Sequence, residues 1–323
     1  MNTYIHMAIS LSSGISIGTY GESQAMPCKY CLSETVKPSG SMRGKKLVKC
    51  TSCGKRFMDN GNLPSMRVNK HAIVTAMSMY FEGLSARKVS RQLESIYGEK
   101  VSQVTIWKWV RKYSTLVSEY VKTLSPQIGG KWHHDETVIR CEGQNQWFWE
   151  MIDEDTRFLV ASHLSETRSL ADTIAVFRQA VETAKSRPQA VFVDGSMQYD
   201  AAFNRVFYSR YKVAKVELVK RIGIRSRETN NIVERLHETV KERTRPMRGF
   251  KNQDSARAIL DGYVVNYNFA RPHMTLKGKT PAQQAGIEVK GWKALIEGAI
   301  QQEALELEPR ERTAVAPMQV VRQ

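Results

Sequence analysis

Apolar residues recur at helical spacing in the first part of the chain and at strand-like spacing in its middle. Residues 69–81 are apolar at about every third or fourth position, which predicts a helix. Ser85 and Ser102 stand at cap positions before two further stretches of this kind, with a turn at residues 97–100 between them. The pattern therefore predicts three consecutive helices.

The third predicted helix continues as a heptad-like seam. Its apolar residues lie alternately four and three positions apart, at Ile106, Val110, Tyr113, Val117, Tyr120 and Leu124. Such a seam either pairs two subunits or packs against its own domain, and this one is too short to decide between them. Pro126, Gly129 and Gly130 then end the pattern, which predicts a domain boundary.

Beyond this boundary, short runs rich in β-branched and aromatic residues replace the helices. Three of them follow one another directly, which predicts an antiparallel meander, and a helix then separates them from a fourth. A β-β-β-α-β order predicts an α/β fold with a mixed sheet. The predicted elements are strands at 132–140, 146–152, 157–162, 189–193 and 213–219 and helices at 170–185 and 199–208.

One further predicted helix, residues 231–245, has an apolar face and an opposite face of charged side chains. Pro246 ends it because proline has no N–H to donate. Its apolar face consists of Ile232, Val233, Leu236 and Val240. Its opposite face presents two carboxylates and two cations, Glu234, Glu238, Lys241 and Arg245. Such a surface suits a group that holds a metal ion against a phosphate.

Four of the five cysteines form two CxxC pairs, Cys28 with Cys31 and Cys50 with Cys53. The 18 residues between the pairs fit a Cys₄ zinc site in a zinc ribbon, and their Gly, Pro and Ser favour a hairpin. Four thiolates leave no open position, so the Zn²⁺ would be structural; a redox dithiol is the alternative. Cys141 is interpreted as an ordinary buried thiol.

Charge points to a polyanionic partner. The chain has 48 Lys+Arg and 32 Asp+Glu, a net charge of +16. Residues 26–125 hold 18 basic and 6 acidic side chains (18 − 6 = +12). Each phosphate that such a surface neutralises releases condensed counterions, which favours DNA binding. The alternative is that the charge serves solubility alone.

The three amino-terminal helices are interpreted as a helix-turn-helix within this basic region. Gln103, Thr105 and Lys108, at the start of its third helix, would approach base edges, whereas Arg111 and Lys112 would meet phosphates. A plain three-helix domain with a solvated charged face is the alternative.

Membrane and export signals are absent from the sequence pattern. No run of about 18 apolar residues occurs, so no membrane partner is expected. Residues 1–25 are mildly apolar but have no Lys or Arg ahead of the apolar stretch, which argues against a signal peptide. We interpret them either as a disordered leader or as an upstream start to a protein that begins at Met26.

Two aspartates hold positions suited to metal chemistry. Asp135 lies within the first predicted strand of the sheet, and Asp194 directly follows the strand at 189–193. If these strands are neighbours, the two carboxylates come within metal-bridging distance, and Glu234 can reach them from a covering helix. Spacing alone does not select these three among 32 acidic residues.

Four ordered segments resemble the signature blocks of DDE transposases of small prokaryotic insertion sequences. They are WHHDET, VFVDGSMQY, NNIVERLHETVKERTRPMRGF and YNFARPHMTLKGKTPAQQAG. The resemblance covers residues 132–287 and implies the ribonuclease H-like fold of retroviral integrases. It implies that Asp135, Asp194 and Glu234 are the catalytic acids and hold Mg²⁺ or Mn²⁺, which prefer oxygen ligands. It places Lys241 at the DNA near the scissile phosphate, and we expect Arg245 on the same face to bind DNA as well.

The third acid has competitors. Glu238 and Glu228 are rival ligands on or before the same helix. Glu234 also stands three residues after Asn231, where it could serve only as the glutamate of a capping box.

The two aspartates have competitors too. Glu136 follows Asp135, but strand alternation turns it to the opposite face of the sheet. His133 shares the face of Asp135 and either assists it or is a core or surface histidine. Asp194 precedes Gly195 and could be only a turn former.

The combined prediction is an α/β protein: a ribonuclease H-like mixed sheet with flanking helices, preceded by a zinc ribbon and an all-α helix-turn-helix domain. The expected divisions are a leader (1–25), the ribbon (26–60), the helix-turn-helix domain (66–125), the catalytic domain (130–290), and a frayed helix and tail with no readable role (291–323).

The resemblance implies a transposase that binds double-stranded DNA at element ends and at the target. It would hydrolyse a phosphodiester and transfer a strand, as a homodimer or larger assembly in the prokaryotic cytoplasm at the nucleoid. A non-catalytic DNA-binding regulator and a structure-selective nuclease without strand transfer are the alternatives.

Overall fold

The structure is a computed structural model that describes residues 27–42, 44–208, 216–220 and 231–311. The leader expected at residues 1–25, Glu228 and the first three residues (213–215) of the strand expected at 213–219 lie outside the described residues. Among the described residues, no helix combines the length and the hydropathy that crossing a bilayer requires.

The cysteine-containing segment folds as a small antiparallel sheet. Its strands are β1 (Val36–Met42), β2 (Lys45–Cys50) and β3 (Arg56–Met58), in that order. Phe57 and the cysteines form a core of their own, separate from the rest of the protein. The predicted hairpin between the two CxxC pairs is confirmed.

Three helices follow, and the two predicted serine caps are confirmed. They are α1 (Lys70–Phe81), α2 (Ala86–Tyr97) and α3 (Gln103–Val121). The side chains of Asn69, Ser85 and Ser102 accept hydrogen bonds from the first-turn N–H groups of these helices, at 2.9, 3.3 and 3.2 Å. These bonds satisfy donors that have no partner inside the helix.

A five-stranded mixed sheet forms the centre of the protein. Its order is β6-β5-β4-β7-β8, with the first three strands antiparallel and the last two parallel to β4. Consecutive strands form the meander, and α4 (Leu170–Ala184) and α5 (Gln198–Phe207) connect the rest. This is the ribonuclease H-like arrangement that the resemblance implies. The strands are β4 (Lys131–Cys141), β5 (Gln144–Asp153), β6 (Leu159–Ser165), β7 (Ala190–Val193) and β8 (Glu217–Lys220).

The helix predicted to carry a face of charged side chains is α6 (Asn231–Thr244), and a 3₁₀ turn containing Pro246 follows it. It packs against β4 and β5. Val233, Leu236 and Val240 are buried as predicted, whereas Ile232 is only partly buried. His237 and Arg243 are also buried, which the apolar pattern did not predict.

The carboxyl-terminal part is helical. It comprises α7 (Gln253–Val265), a π-helical turn (Asn266–Ala270), the short α8 (Pro281–Gln284) and α9 (Gly291–Glu311). The expectation of a frayed helix without a role is wrong for α9, because Trp292, Leu295 and Ile296 are buried and the helix packs against α1 and α3.

The seam of α3 packs within its own chain, against α7 and α9. The contact is close because Gly262 of α7 faces α3, where an added Cβ would overlap Ser114 and Phe81. The buried residues of α1 to α3 and those of the sheet belong to one hydrophobic cluster. The segments on the two sides of the expected boundary at 125–130 therefore share one hydrophobic core.

Candidate active site

Asp135 and Asp194 lie at corresponding positions of two neighbouring parallel strands. The paired residues of β4 and β7 end with His133 opposite Phe192. Continuing that register by two residues places Asp135 opposite Asp194. The condition stated for these two aspartates, that their strands are neighbours, is therefore met. Asp194 directly follows β7, and its Oδ1 accepts a hydrogen bond from the Ser196 N–H at 2.8 Å.

Asp135 is crowded by other carboxylates. Burial, together with the charges of Glu136 and Asp194, raises the pKa of Asp135 to about 7, against a hydrogen bond from the Glu136 N–H and the charge of Arg168. Carboxylates this close repel one another, and a hard divalent cation that binds their oxygens relieves the repulsion. Asp135 and Asp194 therefore fit Mg²⁺ or Mn²⁺ as ligands.

Glu136 belongs to the other face of the sheet, as strand alternation predicts. The Tyr199 hydroxyl of α5 donates to its carboxylate, and Arg168 forms an ion pair with it. A guanidinium nitrogen of Arg168 also lies 3.7 Å from Asp194 Oδ2. Arg168 thus holds positive charge between these two acids. Arg168 was not predicted as a site residue, because it stands in the irregular connection before α4.

Glu150 is a further acidic residue of this region that sequence reasoning missed. It is the antiparallel partner of Asp135 in β5 and is fully buried. Neither of its carboxyl oxygens has a hydrogen-bond partner among the described residues, although His237 Nε2 lies 3.4 Å from one of them. Burial and the charge of Asp135 hold its pKa well above the usual range, against the influence of Lys241. A single Glu within the apolar run QWFWEMI was the available signal.

His237 of α6 stands between these two carboxyl groups. Its Nδ1 lies 3.9 Å from Asp135 Oδ2, on the side of the ring away from Glu150. Burial, with a smaller effect from Lys241, lowers the pKa of His237 to about 4. The imidazole is therefore neutral near pH 7 and presents one N–H and one lone pair.

Glu234 is exposed on the first turn of α6. His237 follows it by three residues, so the two side chains are neighbours on the helix surface. Among the described residues, only the four-cysteine group has three or more candidate ligand atoms within 4.8 Å of one another. The structure thus places Asp135 and Asp194 at one edge of the central sheet and Glu234 on the adjoining helix. Oxygens of the three carboxylates do not all lie within 4.8 Å of one another.

The rival Glu238 is engaged with cations. Its carboxylate lies 3.3 Å from Lys241 Nζ and 3.3 Å from an Arg245 guanidinium nitrogen. The two predicted DNA-binding cations, Lys241 on α6 and Arg245 in the 3₁₀ turn after it, therefore both lie beside Glu238.

His133 is a core histidine, one of the two interpretations that the sequence left open. It is buried, its ring stacks on Phe192 at 4.6 Å, and its Nε2 lies 3.0 Å from Glu154 Oε2.

The four cysteines of the ribbon converge. Sγ of Cys28 lies 3.7 Å from that of Cys53, and Sγ of Cys31 lies 3.5 Å from that of Cys50. Four sulfurs about 2.3 Å from a tetrahedral zinc ion would be about 3.8 Å apart, so the group fits structural Zn²⁺. Burial acts to raise the pKa of the Cys50 thiol, but N–H donors of Cys53 and Ser52 and neighbouring thiols lower it to about 7. Cys141 is fully buried, as expected.

Most of the side chains expected to contact DNA are exposed on α3. Gln103, Lys108, Arg111 and Lys112 are exposed, and Thr105 is half-buried at the first turn. Gln103 accepts a hydrogen bond from Arg87 of α2 at 3.4 Å, which adds another cation to this surface.

Comparison with known proteins agrees with the motifs. Residues 129–273 match a DDE domain. The resemblance to DDE transposases is thereby confirmed, and this region is called the DDE domain below. The chain is 22% identical over 220 residues to the transposase for insertion sequence element IS257 in transposon Tn4003 of Staphylococcus aureus, covering 68% of this chain and 94% of that protein.

Two further relatives extend the comparison. An uncharacterised protein of Methanocaldococcus jannaschii is 24% identical over 202 residues, 61% of this chain and 86% of that protein. Among solved structures, the HTLV-2 integrase catalytic core domain in complex with magnesium superposes with a TM-score of 0.35 at 16% identity, over 50% of this chain and 98% of that chain.

Proposed function

We propose that the protein is a DNA transposase that cuts at the ends of its element and joins the freed strands to target DNA. The supporting observation is the placement of Asp135 opposite Asp194 at one edge of the sheet, beside α6, within a DDE domain. The basic surface of the ribbon and α3 supplies a separate DNA-reading part.

Asp135, Asp194 and Glu234 would hold the divalent ions. Asp135 and Asp194 would provide oxygens from the sheet edge, and Glu234 would complete the set from the first turn of α6. When bound, two such ions activate the attacking oxygen and stabilise the leaving oxygen during in-line displacement at phosphorus.

The chain itself binds and orients the DNA. Lys241 on α6 and Arg245 in the turn after it both lie beside Glu238, where they would neutralise phosphates next to the cut. Arg168 keeps positive charge against Asp194 from the other side. Phosphoryl transfer depends mainly on such positioning and charge.

The reaction would proceed in two displacements. In the first, a water oxygen forms a bond to phosphorus, the bond to the 3′ oxygen breaks, and that oxygen leaves as a free 3′-OH. In the second, this hydroxyl forms a bond to a target phosphorus and the bond to the target's own 3′ oxygen breaks. Neither displacement requires a covalent protein–DNA intermediate.

End recognition would use α3 and the ribbon together. Gln103, Thr105 and Lys108 would contact base edges, and Arg111 and Lys112 would contact phosphates. Because joining requires two ends to be held together, we expect a homodimer or larger assembly on DNA, which light scattering of the complex with end DNA would reveal.

The experiment uses the full chain, Mg²⁺ and duplex DNA from the ends of the source element. We expect the unmutated protein to nick the ends and form joined products, and both activities to fall below detection for Asp135→Ala and Asp194→Ala. Glu142→Ala, which removes an exposed turn carboxylate, is the matched control and should remain active. Undiminished cutting by either aspartate variant would refute the proposed site.

The same assay separates the alternatives. Tight end binding without any cutting by the unmutated protein would favour the DNA-binding regulator. Cutting without joined product would favour the nuclease.

A further inference from the structure

A basic groove runs along the flank of α6 that faces away from Asp135. It has a volume of about 570 Å³ and lies between α6 and the loop of residues 271–275. Three arginines and a histidine line it, namely Arg157, Arg235, Arg271 and His273. Leu236 and Tyr267 contribute to its apolar part. We call it the α6 groove.

The positive charge of the α6 groove is poorly compensated. Nη1 of Arg157 is buried without a hydrogen-bond partner among the described residues. Within the part of the chain that the structure describes, Arg271 forms an ion pair with Glu242 at 3.8 Å, and this glutamate is largely exposed and so screened by water. Burial, with the nearby charges of Arg271 and Arg157, lowers the pKa of His273 to about 4. An anion in the groove would relieve this repulsion.

The α6 groove is within reach of the candidate active site. At about 100° per residue, His237 points from one flank of α6 toward Asp135, Arg235 points from the opposite flank, and the exposed Glu234 lies between them. A strand with its scissile phosphate at Asp135 would therefore enter the groove after crossing one helix, a distance of about 10 Å.

A large apolar side chain stands at the rim. Met274 is 97% exposed, in the loop that also supplies Arg271 and His273. Exposed apolar side chains among cations are found where proteins contact bases as well as phosphates, and methionine can insert between base steps.

We propose that the α6 groove binds a DNA strand that continues from the active site, with Arg157, Arg235 and Arg271 at its phosphates and Met274 against a base. The inference deepens the proposed function and rests on it. It assigns sequence-independent binding to Arg235 and its neighbours, because phosphate contacts hold a strand in position without reading its bases.

Site-directed crosslinking provides the first test. Arg235→Cys and Met274→Cys each introduce an exposed thiol, whereas Cys141 is fully buried and the other four cysteines form the zinc group. The probe is end duplex DNA that carries, tethered to a backbone phosphate just beyond the cut, a mixed disulfide from which a cysteine displaces a small thiol by exchange. We expect disulfide formation with both variants and none with Arg178→Cys, a matched control on the exposed side of α4. Equal crosslinking of the control would overturn the proposal.

Salt dependence provides the second test, with the same duplex unmodified. Loss of one charged phosphate contact weakens binding by about tenfold. It also reduces the slope of log affinity against log salt by about one. We expect both effects for Arg235→Ala, retention of the slope for Arg235→Lys, and neither effect for Arg178→Ala. Met274→Ala should weaken binding without changing the slope.

The outcomes keep the two proposals apart. If the unmutated protein cuts and joins ends while Arg235→Ala keeps full affinity and slope, the groove proposal is wrong and the proposed function stands. If the unmutated protein neither cuts nor joins DNA, while the Arg235→Cys variant forms the crosslink, the groove binds DNA and the catalytic proposal fails.

Discussion

The guanidinium carbon of Arg243 lies 3.7 Å from the centroid of the Tyr80 ring. Arg243 belongs to α6 and Tyr80 to α1, and each is only 3% exposed. A cation over an aromatic face is stabilising, and more so when water is excluded. This contact therefore joins the helix that carries Glu234 to the helices that carry the predicted DNA-reading residues.

We expect Tyr80→Leu to lower the free energy of unfolding by about 3 kcal/mol, because it removes the ring and leaves a buried guanidinium without its partner. Urea denaturation would measure the loss. Tyr97→Leu, which changes an exposed tyrosine of α2, should cost within about 0.5 kcal/mol. In a double-mutant cycle with Arg243→Met the two changes should not add; simple additivity would show that the ring and the cation are energetically independent.

Gly262 offers a test of the contact between α3 and α7. We expect Gly262→Ala to destabilise the protein by about 2 kcal/mol, since the new methyl group would overlap Ser114 and Phe81. Arg257→Ala, an exposed change in the same helix, is the control. A thermal or urea midpoint unchanged by Gly262→Ala would mean that the two helices are further apart than described.

Removal of zinc should affect the ribbon and spare the rest. The cysteines belong to a core separate from that of the helices and sheet, and structural zinc sites unfold without their metal. We expect Cys50→Ala to lose the bound zinc, expose residues 27–60 to proteolysis and weaken end binding, with little change in the unfolding of the remainder. Elemental analysis and limited proteolysis would follow this. Cys141→Ala should retain zinc, and zinc retained by Cys50→Ala would contradict the assignment.

Glu150 should show opposite effects on stability and activity. A buried carboxyl without hydrogen bonds is costly, so Glu150→Met is expected to raise the free energy of unfolding by about 1 kcal/mol. It also removes the group beside His237, so we expect kcat for end cutting to fall about tenfold at unchanged DNA affinity. Glu150→Gln, which keeps an oxygen there, should recover part of the rate. A less stable but fully active Glu150→Met would show a purely structural role.

Local patterns in the sequence were sufficient for most of the secondary structure. The caps at Asn69, Ser85 and Ser102 and the alternation in β4 follow from neighbours along the chain, and the helices and strands formed where these patterns predicted them. The approach of Asp135 to Asp194 was also predictable, because it requires only that two strands of an α/β unit be adjacent.

Pairs of side chains from distant segments were not predictable in this way. Arg168 beside Glu136, Glu150 beside His237 and Arg243 on Tyr80 each depend on how separate elements pack. Burial of α9 was missed for the same reason, since its partners α1 and α3 precede it by more than 160 residues. The position of Glu234 relative to the two aspartates depends on the docking of α6, which periodicity does not determine.

The docking of α3 on α7 and α9 has a consequence for where DNA would be cut. Because these helices share one hydrophobic core with the sheet, the spacing between bases that α3 would read and a phosphate that would bind at Asp135 would be determined by packing and not by a flexible linker. Lengthening the segment at residues 125–130 would then leave the cleavage position unchanged, counted in base pairs from the recognised sequence.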